Sequence, residues 1–303
     1  MPSLRITFHS LLLLSRKLAL STVVFAIGSG ADAQTQASCA FTFFQTSFKT
    51  GLQLTPFGIN DFGTVVGAAN DPNKQFQTGF IRWANGGINI FTDPFTDRNS
   101  PSLLFARNDK GVSLGLNYSG AITLSGVTVT PIAVTIGAIT YRPVQGFGMN
   151  VWGSIVGEYG DTAGVNHGFK RWSNGHGITL DFPNAVDTFA RAINDTGTIV
   201  GTIEPTPFTH GFIYSNGSWA QLDYPNADAT ELVGISNTGT IVGNESTDGT
   251  TIPFIYANGL FKFISPPDTA SSSVAGMGLR SGLIVGIAKS NSGEHQGFIA
   301  KCN

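Results

Sequence analysis

The sequence carries little charge. Only 12% of its 303 residues are Asp, Glu, Lys or Arg, about half the share of roughly a quarter in ordinary globular proteins. The formal net charge is −2, so no basic excess exists to attract a phosphate backbone, and no nucleic-acid partner is expected. Cysteine is scarce too. Two residues cannot build a disulfide-dense scaffold, and they are too few for a zinc site without well-placed histidines. The Ala, Glu, Lys and Leu richness of helical bundles is missing. No nucleophile with its base and no phosphate-binding loop is recognised. What is plentiful is glycine, at 38 residues, and phenylalanine, at 23. Such a chain is too apolar for disorder. Gly mixed with Phe, Thr, Ile and Val reads as short strands joined by tight turns.

The first residues read as an export signal. Arg5, Arg16 and Lys17 give a positive start, Leu18 to Ile27 is apolar, and Ala31-Asp32-Ala33 has the form of a cleavage site. The apolar run is too short to span a bilayer, and no later stretch reaches 18 apolar residues. Residues 1–33 are therefore expected to be removed. That leaves one domain, 34–303, secreted or periplasmic, with no membrane span after cleavage. In an oxidising compartment Cys39 and Cys302 are expected to bond to each other.

The rest of the sequence is a six-fold repeat. Gly58-Ile-Asn-Asp-Phe-Gly-Thr-Val-Val-Gly67 recurs closely as Gly148 to Gly157, Ala192 to Gly201 and Gly234 to Gly243. Looser copies run from Ala106 to Gly115 and from Gly278 to Gly286. A second block follows, as in Gly168-Phe-Lys-Arg-Trp-Ser-Asn-Gly175 and Gly211-Phe-Ile-Tyr-Ser-Asn-Gly217. A third ends in proline, as in Trp219-Ala-Gln-Leu-Asp-Tyr-Pro225. Each unit reads as four strands, a to d. Asn-Asp-x-Gly turns join a to b, and Asn-Gly hairpins such as Asn216-Gly217 join c to d. Four short antiparallel strands every ~43 residues are the mark of a β-propeller blade.

The fold expected is thus all-β, a six-bladed propeller with repeats starting near residues 58, 105, 148, 192, 234 and 277. The last copy stops after strand c, while the segment 39–48 looks like an orphan strand d. The N-terminal strand should therefore complete the last blade and close the ring, with Cys39 beside Cys302. Copy two lacks both Gly-Phe and Asn-Gly between Ala121 and Ile136, so an irregular blade is expected there.

These blocks resemble the HAF-type bacterial extracellular repeat proteins. His167-Gly-Phe169 and His210-Gly-Phe212 are the closest matches to that family's His-Ala-Phe element. His295-Gln-Gly-Phe298 is offset by one, and Thr78-Gly-Phe80 and Ile252-Pro-Phe254 lack the histidine. The resemblance covers nearly all of 34–303. It implies a repeat type and export, and no established activity.

Function is less legible. The b–c connections vary most, and variable loops on a rigid scaffold are where binding resides, so the b–c and d–a face is the expected functional face. It is acidic, with Asp71, Asp161 and Asp248 as candidate binding residues and Asp97, Asp187, Asp228 and Asp268 nearby. Such carboxylates could take Ca²⁺; otherwise no metal or cofactor is expected. Glu158, Glu204 and Glu245 follow the strand-b glycine and are the catalytic candidates. Trp152, in an a–b turn, is a candidate sugar platform. The histidines are expected to hydrogen-bond at the start of strand c. The leading reading is an exported, non-catalytic binding module, monomeric, for a glycan or a cell-surface partner. The alternatives are a carbohydrate-active hydrolase or lyase with acids at the channel mouth, and a structural surface protein.

Overall fold

A computed structural model describes residues 35–48, 51–71, 73, 77–91, 102–204 and 208–303. Residues 1–33 with the expected signal, and Asp97, lie outside the described residues. The described chain is all β and forms a six-bladed propeller. Blade 1 comprises strands a to d at Gln53–Ile59, Val65–Asn70, Thr78–Arg82 and Ile88–Phe91. Blade 3 has Gln145–Met149, Ile155–Gly160, Asn166–Arg171 and Gly177–Leu180. Blade 4 has Asp187–Ile193, Ile199–Glu204, His210–Ser215 and Ser218–Gln221. Blade 5 has Ala229–Ile235, Ile241–Thr247, Thr250–Ala257 and Leu260–Phe263. Strand a of each blade packs against strand a of the next, and the sixth against the first, so these strands line a central channel.

Ring closure follows the sequence reading. Blade 6 supplies Thr269–Met277, Leu283–Ser290 and His295–Cys302, and Cys39–Gln45 joins them antiparallel as the fourth strand. Cys39 and Cys302 stand opposite each other and form a disulfide across 263 residues of sequence. Closing so long a loop restricts the unfolded chain by about 5 kcal/mol in the entropy model. A second latch was not legible. Thr35–Gln36 adds a parallel fifth strand to the outer edge of blade 5, pairing with Lys262 and Phe263. Ala37 is then buried between blades 5 and 6. The N-terminal segment thus fastens two blades rather than one.

Copy two corrects an expectation. Leu103–Arg107, Val112–Asn117, Gly120–Ser125 and Thr128–Pro131 form a regular four-stranded blade. Ile122 fills the place that phenylalanine takes elsewhere, and Gly126 at φ 59° makes the hairpin turn. The extra residues of that repeat form a separate hairpin, Val134–Ile136 with Ile139–Tyr141. It leans on blade 3, with Thr135 N–H donating to Gly175 O and Tyr141 packed 4.2 Å from Tyr159. The Asn-Gly hairpins also divide. Asn216-Gly217 and Asn258-Gly259 both have positive φ, whereas at Asn85-Gly86 and Asn174-Gly175 only the glycine does. These two turns are longer, so the asparagine instead accepts a hydrogen bond from the N–H two residues on.

One device recurs in every blade. Strand a carries a β-bulge just before its turn, at Phe57, Phe105, Phe147, Arg191, Val233 and Ala275. Opposite it stands the repeat's closing glycine on strand b. A Cβ on Gly67, Gly115, Gly157, Gly201, Gly243 or Gly286 would lie 1.9–2.3 Å from a strand-a carbonyl oxygen. The extra residue pushes the backbone inward, and only a residue without Cβ leaves room. In five blades the bare glycine faces a phenylalanine on strand c. Phe80, Phe169, Phe212, Phe254 and Phe298 are all fully buried, each worth about 2–3 kcal/mol of apolar burial. The Gly-Phe pairing therefore accounts for five of the 38 glycines and five of the 23 phenylalanines.

Candidate functional site

The bulges aim one side chain per blade at the channel. Along strand a of blade 1, Leu54 and Pro56 are buried while Thr55 is exposed and Phe57 half-buried. The other blades alternate in the same way. The bulged residues Phe57, Phe105, Phe147, Arg191 and Val233, and with them Ala275, line a cavity of about 330 Å³. Three aromatic rings make one wall. Phe57 stacks on Phe105 at 5.4 Å between centroids, and Phe105 meets Phe147 edge-on at 5.5 Å. The Arg191 guanidinium sits 4.5 Å from the Phe147 centroid and 5.3 Å from that of Phe189. Glu231 lines the same cavity from blade 5. Sequence reasoning missed all of these. The available signal was a single position, just ahead of a Gly or Ala at or near the start of the block, that varies as Phe, Phe, Phe, Arg, Val and Ala.

At one end the cavity reaches the a–b turns, whose Asn-Asp pairs tie the blades together. Asn150 Oδ1 accepts from its own turn, from the N–H groups of Trp152 and Ser154, while its Nδ2 donates to Asn194 O of the next blade at 3.1 Å. Asn194 repeats this toward Ser236 O at 3.0 Å. The following residue accepts from the preceding blade: Val151 N–H donates to Asp195 Oδ1, Asp195 N–H to Asn237 Oδ1, and Asp61 N–H to Asp109 Oδ1. The N–H groups of Arg280 and Ser281 donate to Asp61 Oδ1 and join the last blade to the first. Read locally, Asn-Asp is a turn signal; in the ring it is also an inter-blade collar.

Two collar carboxyls face each other. Burial, then the hydrogen bond and charge of Asp61, push Asp109 up to about 6. Burial works on Asp61 as well, but the hydrogen bonds from Asp109, Ser281 and Arg280 outweigh it and hold Asp61 below the usual carboxylate range. Asp61 Oδ2 is buried without a hydrogen-bond partner among the described residues.

The catalytic candidates do not converge on this cavity. Glu158 is buried on strand b of blade 3, with Oε2 unpartnered. Burial pushes its carboxyl up against the opposing pull of Arg191, with a further push from Asp187 and Glu204. Glu204 is exposed at the end of its strand. Glu245 is buried and accepts a hydrogen bond from the Thr247 hydroxyl at 2.7 Å. The three stand one, three and two residues after their glycines, so the strand alternation puts Glu158 and Glu204 on like faces of their blades and Glu245 on the other.

The binding candidates lie on separate blades. Asp71 Oδ1 accepts from the Asn73 N–H, and Asp161 Oδ1 from the N–H groups of Ala163 and Val165, so both shape their own turns. Asp248 N–H donates to Asp228 Oδ2. Among the described residues no group of three or more His, Cys, Asp or Glu is placed to hold a metal ion.

His167 and His210 take the role read from the sequence, whereas the exposed His295 gives only its backbone carbonyl, accepting from the Thr46 hydroxyl. His210 Nδ1 lies 3.0 Å from Asp223 Oδ2, and His167 Nδ1 lies 2.9 Å from Asp181 Oδ1 with Nε2 3.4 Å from Asp161 Oδ2. Burial disfavours the His167 cation, but the hydrogen bonds and charges of Asp181 and Asp161 prevail and raise it above its ordinary value. Gly111-Val-Ser113-Leu-Gly115 has the spacing of a nucleophile elbow, which the sequence reading passed over. Ser113 is fully buried on a strand and accepts from Arg107 Nη1 at 2.8 Å, so it presents no nucleophile.

Trp152 lies on the a–b face, 62% exposed, with Nε1 donating to Asp195 O at 3.2 Å. Trp83 and Trp172 occupy c–d turns, and c–d turns share that face. Each ring has a cation near it: Arg107 at 5.2 Å from Trp83, Lys110 at 5.8 Å from Trp152 and Lys170 at 5.9 Å from Trp172. Phe62, 67% exposed, is the a–b turn residue of blade 1.

No family model and no curated protein matches the sequence. Among solved structures, TolB from Acinetobacter baumannii aligns with TM-score 0.56 and 15% identity, over 80% of this chain and 65% of that one. A triple Arg-to-Ala mutant of AofleA from Arthrobotrys oligospora aligns with TM-score 0.51 and 10% identity, over 89% and 94%. Virginiamycin B lyase from Staphylococcus aureus aligns with TM-score 0.50 and 9% identity, over 87% and 100%. The likeness is one of fold, and proteins of different names share that fold.

Proposed function

We propose that this propeller is an exported, non-catalytic binding protein of the HAF-type repeat class that holds a glycan on its a–b face. The observation that carries the reading is the placement of Trp83, Trp152 and Trp172 on that face of blades 1 and 3, each with Arg or Lys near its ring. Flat indoles on hydrogen-bonded turns offer sugar rings a stacking surface at small entropic cost. The face is the opposite of the variable b–c face favoured from sequence. Export is supported by the leader-like residues 5–33 and by the disulfide. A glycan array with wild type, Trp152→Ala, Trp172→Ala and Glu204→Ala tests the reading. Loss of about tenfold in affinity for each tryptophan variant, equal to about 1.4 kcal/mol, with Glu204→Ala unchanged, supports it. Equal signals for wild type and both tryptophan variants, or none for wild type, overturn it.

A hydrolase reading has one observation in its favour, the Asp61 and Asp109 pair lining the cavity with one carboxyl near 6. The collar hydrogen bonds already occupy both groups. Release of reducing ends from a bound glycan, lost in Asp109→Asn, would establish that reading in place of the first.

A further inference from the structure

Two charged side chains lining the channel cavity, Arg191 and Glu231, make no hydrogen bond or ion pair with any described residue. Arg191 has five N–H donors, yet it makes no hydrogen bond and no ion pair with a described residue; only the faces of Phe147 and Phe189 hold it. Glu231, exposed on the neighbouring blade, likewise has no hydrogen bond or ion pair with a described residue. Other charged groups near the cavity have assigned partners or are buried elsewhere. Arg107 donates to Ser113 Oγ, and Asp61 and Asp109 accept collar N–H groups. Glu158 reaches Arg191 only through its charge, from between blades 3 and 4, and makes no contact within ion-pair distance.

Phe57, Phe105 and Phe147, the last of them carrying Arg191 on its face, give the same cavity an apolar wall, and Met149 lines it too. A cavity of about 330 Å³ is at the small end for ligand sites, which run from about 300 to 1,000 Å³. Its contents ask for one unpaired anion, one unpaired cation and an apolar body in a single small molecule. Burying a free anion there would leave Glu231 repelled, and burying a free cation would do the same to Arg191.

We propose that the channel binds a small zwitterion with an apolar side chain, an α-amino acid or close analogue. Its carboxylate lies on Arg191, its ammonium on Glu231, and its side chain against Phe57, Phe105 and Phe147. The bidentate donor geometry of Arg suits the carboxylate. The site is distinct from the tryptophan face, so either can fail without the other.

The test is calorimetric titration of the full exported chain with L-phenylalanine, L-leucine, phenylacetate and phenethylamine. Wild type should bind an amino acid at least about tenfold tighter than either singly charged analogue, because each analogue leaves one of the two cavity charges without its counter-charge. Arg191→Met should abolish amino-acid and phenylacetate binding. Glu231→Gln should weaken amino acids about tenfold and strengthen phenylacetate, whose carboxylate no longer faces a like charge. An unchanged melt and far-UV spectrum show that each variant is folded; Arg191→Lys, which keeps the charge, should recover part of the binding. Wild type that binds neither amino acid at millimolar concentration, or phenylacetate held as tightly as phenylalanine, overturns the proposal.

Discussion

Replacing Asp109 by asparagine should stabilise the protein above pH 6 and remove a step from its pH dependence. The junction of blades 4 and 5 shows why. There Asp195 N–H donates to Asn237 Oδ1 at 2.9 Å, and Asn237 Nδ2 returns a hydrogen bond to Asp195 Oδ2 at 2.7 Å. At the junction of blades 1 and 2, Asp61 N–H donates to Asp109 Oδ1 at 3.0 Å, but Asp109 has no amide to give back. The atom left over is Asp61 Oδ2, buried without a hydrogen-bond partner among the described residues. A proton on Asp109 takes the place of the missing amide, so the folded state retains it up to about pH 6 against an ordinary value of 3.8. A folded state that binds the extra proton loses stability as pH rises from 3.8 through about 6. In full desolvation that difference would correspond to about 3 kcal/mol. Water around this partly exposed pair reduces it to about 1 kcal/mol. The asparagine supplies the hydrogen bond at every pH. Thermal melts of wild type and Asp109→Asn at pH 4.5 and pH 7.5 measure the effect. The variant should melt about 2 °C higher at the upper pH, the shift that about 1 kcal/mol gives a domain of this size, and level with wild type at the lower. A gain of equal size at both pH values, or a variant less stable at pH 7.5, refutes the reasoning.

Three further outcomes follow from the fold. Gly157→Ala places a Cβ 1.9 Å from Gln145 O, so strands a and b must part and the bulge is lost; about 3 kcal/mol or more is expected. Gly164→Ala, in open space at φ 86°, should cost only about 1 kcal/mol, and equal melting temperatures for the two variants would contradict the bulge argument. Peptide mapping without reductant should recover Cys39 joined to Cys302, and the Cys39→Ser, Cys302→Ser double variant should lose about 5 kcal/mol at most; free thiols in the exported protein would contradict the closure. Deleting residues 34–50 removes both the fourth strand of blade 6 and the Thr35–Gln36 latch on blade 5, so no cooperative melt should remain, and a shift of a few degrees would count against both latches.

Much of the fold is written locally. The strand and turn pattern is spelled within each 43-residue copy: Gly63, Gly111, Gly153, Gly197, Gly239 and Gly282 all take positive φ in their a–b turns, as short-range turn chemistry requires. Closure was also legible, because copy six lacks a strand and the segment at Cys39 offers one. Blade 2 was misjudged because its sequence departs from the motif while its burial does not: Ile122 fills the phenylalanine's place.

The sequence by itself determined the number of blades, their four-strand order, the turns and the pairing of the two cysteines, since each depends on neighbours in the chain or on counting copies. Only the tertiary structure decided what the channel contains. Phe57, Phe105, Phe147, Arg191 and Glu231 come from five different blades, and each is unremarked among its own chain neighbours. The first four meet because bulges, each allowed by a glycine on the next strand, turn one side chain per blade toward a common axis, and Glu231 stands two residues before the bulge of its own blade at Val233. The Asn-Asp pairs likewise read as turns in one copy and become a collar only when the next copy stands beside them. Convergence on an axis is a property of the closed ring, and no single repeat contains it.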